Sequence, residues 1–355
     1  MPAAQKALVP FRLAARERFR QVDVRTYSSG NQATPIKLPE VGFLNAIVLV
    51  VEGTFNLGAS ATLVDKGPWN LIKRITVDTN LGTSNIVDLS GFGAYLNAVN
   101  QKRAFGPDGA GLGTVSSLIY SAPIATGNNT WKLVYYIPIA ANDANEFDVG
   151  TINLQAPEIQ ANVNITFGTQ SDVVATNPGT GFTGTVTCYY RYWDVPNPNQ
   201  VAWPANQIVR TIEENTPILY TGDFTYYQIL RQGYLLDLIT YITVNGSLSN
   251  AFDQSTLRVN KNDTIYVFTP TTQKLRGYMA NSAIMPTGVF PWGLWEAMGS
   301  PSQDDTRDGM NTEKVTTLEV GYQISTSATL GSGNNFLSNI RRVLVNLVPP
   351  QTMKG

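Results

Sequence analysis

Between Pro196 and Pro204 three prolines fall within nine residues, in Pro196-Asn197-Pro198-Asn199-Gln200-Val201-Ala202-Trp203-Pro204. Proline gives no N–H to a hydrogen-bond ladder, so neither a helix nor a central strand runs through this stretch. It lies near the midpoint of the 355 residues, and both halves read as strands. Candidates before it are 42–55, 71–78, 131–140, 150–155, 159–167 and 182–193; after it, 208–212, 224–230, 234–244, 256–259, 264–268, 315–324 and 341–348. Each is rich in Val, Ile, Thr or aromatic residues and bounded by Gly, Pro or Asn. Composition agrees, because 37 Thr and 30 Asn together exceed the 25 basic and 26 acidic residues. Thr suits half-buried strands and Asn suits turns. Many short strands with few helices predict an all-β chain of antiparallel sandwiches.

The halves echo each other. Gly42-Phe43-Leu44-Asn45-Ala46-Ile47 resembles Gly233-Tyr234-Leu235-Leu236-Asp237-Leu238, and each opens a long strand that ends at a Gly turn, Glu52-Gly53 and Asn245-Gly246. A strand pair follows in each half, 71–78 with 85–89 and 256–259 with 264–268. Then comes a short helix-compatible segment, 94–98 and 277–281, and a long irregular stretch, 104–130 and 281–313. Four elements recurring in one order predict an internal duplication. The expected division is an arm (1–25), a first sandwich (26–193), a Pro-rich linker (194–206), a second sandwich (207–348) and a tail (349–355).

Residues 1–25 carry six basic side chains (Lys6, Arg12, Arg16, Arg18, Arg20, Arg25) against Glu17 and Asp23, although the whole chain has a net charge of −1. Pro10 and four arginines break any apolar run, so a signal peptide is not expected. Leu8, Phe11, Ala15, Phe19 and Val22 recur at spacings of three and four, which predicts an amphipathic helix with Arg12, Arg16 and Arg20 as a row beside the stripe. Such a helix can pack on its own domain, clamp a neighbouring subunit or lie on an anionic membrane.

Chemistry is thinly represented. The absence of histidine removes Ser-His-Asp and Cys-His triads and His-ligated metals. Cys188 is the only cysteine, so no intrachain disulfide forms, and its strand setting reads as a buried structural thiol. The glycine-rich run from Gly106 to Gly113 lacks the Lys-Ser/Thr of a phosphate loop. The run Asn142-Asp143-Ala144-Asn145-Glu146-Phe147-Asp148 offers oxygen ligands without EF-hand spacing. Glu213 and Glu214 are adjacent on a strand and point to opposite faces, and Asp304 and Asp305 sit in a polar loop. No catalytic residue, cofactor or metal is expected. Trp292 and Trp295 are read as outer-loop contacts. They would also suit a carbohydrate-binding spike or lectin-like protein, which is the alternative reading.

Three runs carry a resemblance. Pro68-Trp69-Asn70-Leu71-Ile72-Lys73-Arg74-Ile75 is similar to a strand early in the first sandwich of the double jelly-roll major capsid proteins, and Tyr135-Tyr136-Ile137-Pro138-Ile139 is similar to a later one. Gly150, Ile152, Leu154 and Gln155 follow in the same pattern. Together with the duplicated order over residues 8–348, the chain resembles the tectivirus-like group, from tailless icosahedral phages with an internal membrane. Residues 104–130 and 281–313 lie outside the resemblance. It implies two tandem eight-stranded jelly rolls and a homotrimer that forms a pseudo-hexagonal capsomer. Its implied partners are neighbouring capsomers, minor and penton proteins, and internal-membrane lipids near the N-terminal helix. It also implies a place in the virion shell after assembly in the host cytoplasm. No specific nucleic-acid contact is expected at this net charge.

Overall fold

The computed structural model describes residues 9–81, 85–101, 122–141, 149–194, 201–202, 207–261, 263–281, 285–294, 310–331 and 333–346. The first half forms strands β1 (Arg16–Thr26), β2 (Ile36–Lys37), β3 (Phe43–Leu57), β4 (Ile72–Thr79) and β5 (Asn85–Leu89), then helix α1 (Gly91–Asn100). It continues with β6 (Gly127–Pro138), β7 (Ala161–Phe167) and β8 (Gly181–Asp194). These stack as two sheets with orders β1-β8-β3-β6 and β2-β7-β4-β5. The second half forms β9 (Gln207–Pro217), β10 (Phe224–Gln228), β11 (Tyr234–Val244), β12 (Phe252–Val259), β13 (Asp263–Phe268) and helix α2 (Pro270–Asn281). After these come β14 (Val289–Pro291), β15 (Met310–Asn311), β16 (Leu318–Ile324) and β17 (Phe336–Asn346).

The second set repeats the first strand for strand. Its sheets run β9-β17-β11 and β10-β16-β12-β13, with β14 and β15 both pairing to β11 where β6 pairs to β3. Even the irregularities match. The β3–β8 register skips Asn45 and the β11–β17 register skips Leu236, each three residues after the glycine that opens the strand. The β4–β5 register skips Ile86, and the β12–β13 register skips Ile265. A bulge re-aims a strand without ending it, so its recurrence at equivalent places marks one fold built twice.

Local sequence explains the elements. In β7, Ala161, Val163, Ile165 and Phe167 are buried and alternate with Asn162, Asn164 and Thr166. That is the period of a strand with one face on a core. β3 up to Val51, and β11, are mostly apolar on both sides because both sides are covered. In β11, Leu238 and Ile242 enter the second core, whereas Ile239 and Tyr241 enter the first. Gly42 and Gly233 hold φ of +71° and +65°, and a Cβ at Gly233 would run into the Leu344 carbonyl oxygen. Gly233→Ala should therefore lower unfolding stability by more than about 1 kcal/mol, read from the urea midpoint.

The N-terminal arm is not the amphipathic helix its spacing predicts. Among the described residues of the arm, helix is confined to one turn, Phe11–Ala14, and Arg16–Thr26 is an edge strand antiparallel to β8. Spacings of four fit one face of a strand as well as a helix, so the row of arginines did not distinguish them. The strand gains a full ladder with β8, whereas a short solitary helix is marginal. The first sandwich thus begins at Arg16, inside the predicted arm. Leu8 and most of the linker (195–200 and 203–206) lie outside the described residues, as do 102–121, 142–148 and 295–309 within the loops.

Candidate assembly surface

The two sandwiches share one sheet. β5 of the first lies parallel to β9 of the second, with Val87 opposite Thr211 and Asp88 opposite Ile212, so eight strands run unbroken from one half to the other. Parallel pairing leaves no free edge at this seam. Arg210 adds a bond from its Nε to the Asn85 carbonyl, 3.3 Å away.

α1 is the wedge in the seam. Ser90 caps its N-terminus, its hydroxyl accepting from the Gly93 N–H at 2.9 Å. Glu213 of β9 takes the Ser90 N–H at 2.7 Å and the Ser90 hydroxyl at 3.0 Å. A carboxylate beside a helix N-terminus is favourable because the first N–H groups carry partial positive charge. Tyr241 donates its phenol to Glu213 and meets Phe92 edge-on. Burial first, and then Glu213, push the Tyr241 pKa well up, so it remains a donor. At the helix C-terminus, Asn100 and Gln101 donate to the buried Asp237 carboxylate of β11. Arg342, the register partner of Asp237, donates to the carbonyls of Ala140 and Ala141 in the first sandwich, at 3.0 and 2.7 Å. These hydrogen bonds all cross the seam, which fixes the two sandwiches in one arrangement.

The two adjacent glutamates serve different halves. Glu214 points the other way, accepting from the Tyr227 phenol and from Arg341 at 3.2 Å. They do not form a catalytic pair. Among the described residues no group of three or more His, Cys, Asp or Glu could hold a metal.

Cys188 is buried, and burial pushes its thiol pKa up to about 12, with Asp23 adding to the effect. Thiolate is the reactive form. In native protein at pH 8, Cys188 should therefore resist a thiol reagent for hours and react at once in denaturant.

The predicted contact residues separate. Phe11 is buried against Phe43 and Trp193. Arg12 lies in the single helical turn, and Ala15 follows it, half-buried. Arg16, Phe19 and Arg20 are exposed on β1, while Val22 packs on the first core. They are brought together as an edge strand rather than a helical stripe. Trp292 is not an outer contact: it is 0% exposed in the second core, edge-on to Tyr322, with its N–H donated to Thr240 Oγ1 at 3.1 Å. Its place beside Pro291 on β14 makes it a core residue, and it offers no platform to a sugar. Trp295 lies outside the described residues. The seam residues Glu213, Asp237 and Arg342 were missed as contacts. Their signal was charge inside otherwise apolar strands.

Over nearly its whole length this arrangement matches solved viral capsid proteins. The MCP of STIV, Sulfolobus Turreted Icosahedral Virus, superposes with a TM-score of 0.67 at 12% identity, covering 96% of this chain and all of that one. The capsid of the virus PBCV-1 gives 0.64 at 10% identity, with 97% and 95% covered. The chain has the double jelly-roll fold. The major capsid protein of bacteriophage PM2 shares the double jelly roll at a TM-score of 0.55 and 9% identity, covering 95% and 99%. No family model matches the chain, and no curated protein matches it in sequence.

Proposed function

We propose that this chain is the major capsid subunit of a tailless icosahedral virus. The observation that carries the reading is full-length likeness to viral capsid proteins, in a chain that is itself a duplicated sandwich. Three copies, each supplying two jelly rolls, form a pseudo-hexagonal capsomer whose sandwiches stand perpendicular to the shell. Neighbouring capsomers and minor or penton proteins are its partners, and the virion, assembled in the host cytoplasm, is its location. In this reading the segment ahead of Arg16 faces the particle interior, toward other subunits or an internal membrane. The protein acts as a building block and carries out no reaction. The low share of charged residues, 14%, suits broad polar contacts, because few charges need desolvation.

Size-exclusion chromatography with light scattering tests this. The reading expects three times the chain mass of 38.7 kDa. A monomer at all concentrations whose melting temperature rises with an added sugar would favour the carbohydrate-binding alternative.

A further inference from the structure

The duplication is structurally even but unevenly covered. In the first sandwich, β5 and α1 are buried beneath the second. Among the described residues, nothing of the other sandwich lies over their counterparts β13 and α2. Ile86 is 0% exposed and its equivalent Ile265 is 45%; Leu96 is 0% and its equivalent Leu275 is 56%. Val267, Tyr278 and Met279 extend the exposed apolar patch. Among the described residues β13 is also the edge of its sheet, with no strand on its outer side. An exposed apolar edge strand is a template for another chain.

The strand that covers β5 is β9, and the equivalent of β9 is β1. β1 is the free edge of the β1-β8-β3-β6 sheet, and all of Arg16 to Gln21 is exposed, with Phe19 at 59%. Registers with β8 and β17 equate Arg18 with Arg210, Phe19 with Thr211, Arg20 with Ile212 and Gln21 with Glu213. Registers with β4 and β12 equate Thr264 with Asn85, Tyr266 with Val87 and Val267 with Asp88.

We propose that β1 of one copy adds in parallel to β13 of the next, with Phe19 opposite Tyr266 and Arg20 opposite Val267, repeating between copies the β9–β5 seam within each copy. This rests on the capsomer reading above and names its contact. Arg18 takes the place of Arg210 and donates to the Thr264 carbonyl. Gln21 takes the place of Glu213 and meets Thr269, the residue ahead of α2 as Ser90 is ahead of α1. The contact is head-to-tail, so it closes a ring only if the rotation permits.

The test is a pair of cysteines, Arg20→Cys with Val267→Cys, in the full chain under a mild oxidant. Both positions are exposed, and buried Cys188 does not interfere. Directly opposed strand residues lie within disulfide reach, and residues two places further along do not. The proposal expects covalent dimers and trimers on a non-reducing gel, at least tenfold more than from Arg20→Cys with Ile265→Cys. If the protein is trimeric yet the first pair does not cross-link, or both pairs cross-link equally, the strand addition is wrong and the capsomer reading survives. If the protein is monomeric throughout, both are wrong.

Discussion

Replacing Arg342 with leucine should lower the unfolding free energy by about 3–5 kcal/mol. Arg342 is 1% exposed, between Asp237 of its own sandwich and the Ala140 and Ala141 carbonyls of the other. Leucine fills part of the volume but removes the cation opposite the buried Asp237 carboxylate and the donor to both carbonyls. An uncompensated buried charge is among the few causes of so large a loss. Urea titration with intrinsic fluorescence reads the effect. A loss below 1 kcal/mol for leucine would show that the seam does not depend on this side chain.

Trp292→Ala should cost a similar amount, about 3–5 kcal/mol, as large-to-small changes of buried aromatics do. The ring packs among Phe268, Tyr322 and the second core, and its N–H anchors Thr240, whose hydroxyl donates to Asn339 at 2.7 Å. Truncation opens a cavity and breaks that chain of bonds. If Trp292 were an outer contact, its removal would leave the melting temperature unchanged and weaken only association between copies. Thermal unfolding of dilute protein separates the two.

The sequence patterns that held were the repeated ones. The Gly42 and Gly233 matches begin equivalent strands, β3 and β11, with the same bulge three residues on. The strand pairs after them are β4–β5 and β12–β13, and the helix-compatible segments fall within α1 and α2. Such periodic and glycine-marked features are local, so they are legible before folding. The N-terminal strand was not. Apolar residues at spacings of three and four outweighed Arg-Glu-Arg-Phe-Arg, whose alternation takes on meaning only when β8 lies beside it. Trp292 was misread because its neighbours in sequence are loop-like, whereas its burial comes from Tyr322 and Phe268 far along the chain. The seam was hidden for a related reason. Asp237 and Arg342 are far apart in sequence, and the Asn100 that meets Asp237 is far from both. Nothing short-range signals that a charge in an apolar strand will find its partners across a domain boundary.

Electron microscopy of the purified, unmodified protein should give class averages with threefold symmetry and a six-lobed outline, one lobe for each jelly roll of three chains. Single two-lobed particles at every concentration, or open filaments without closed rings, would contradict that assembly.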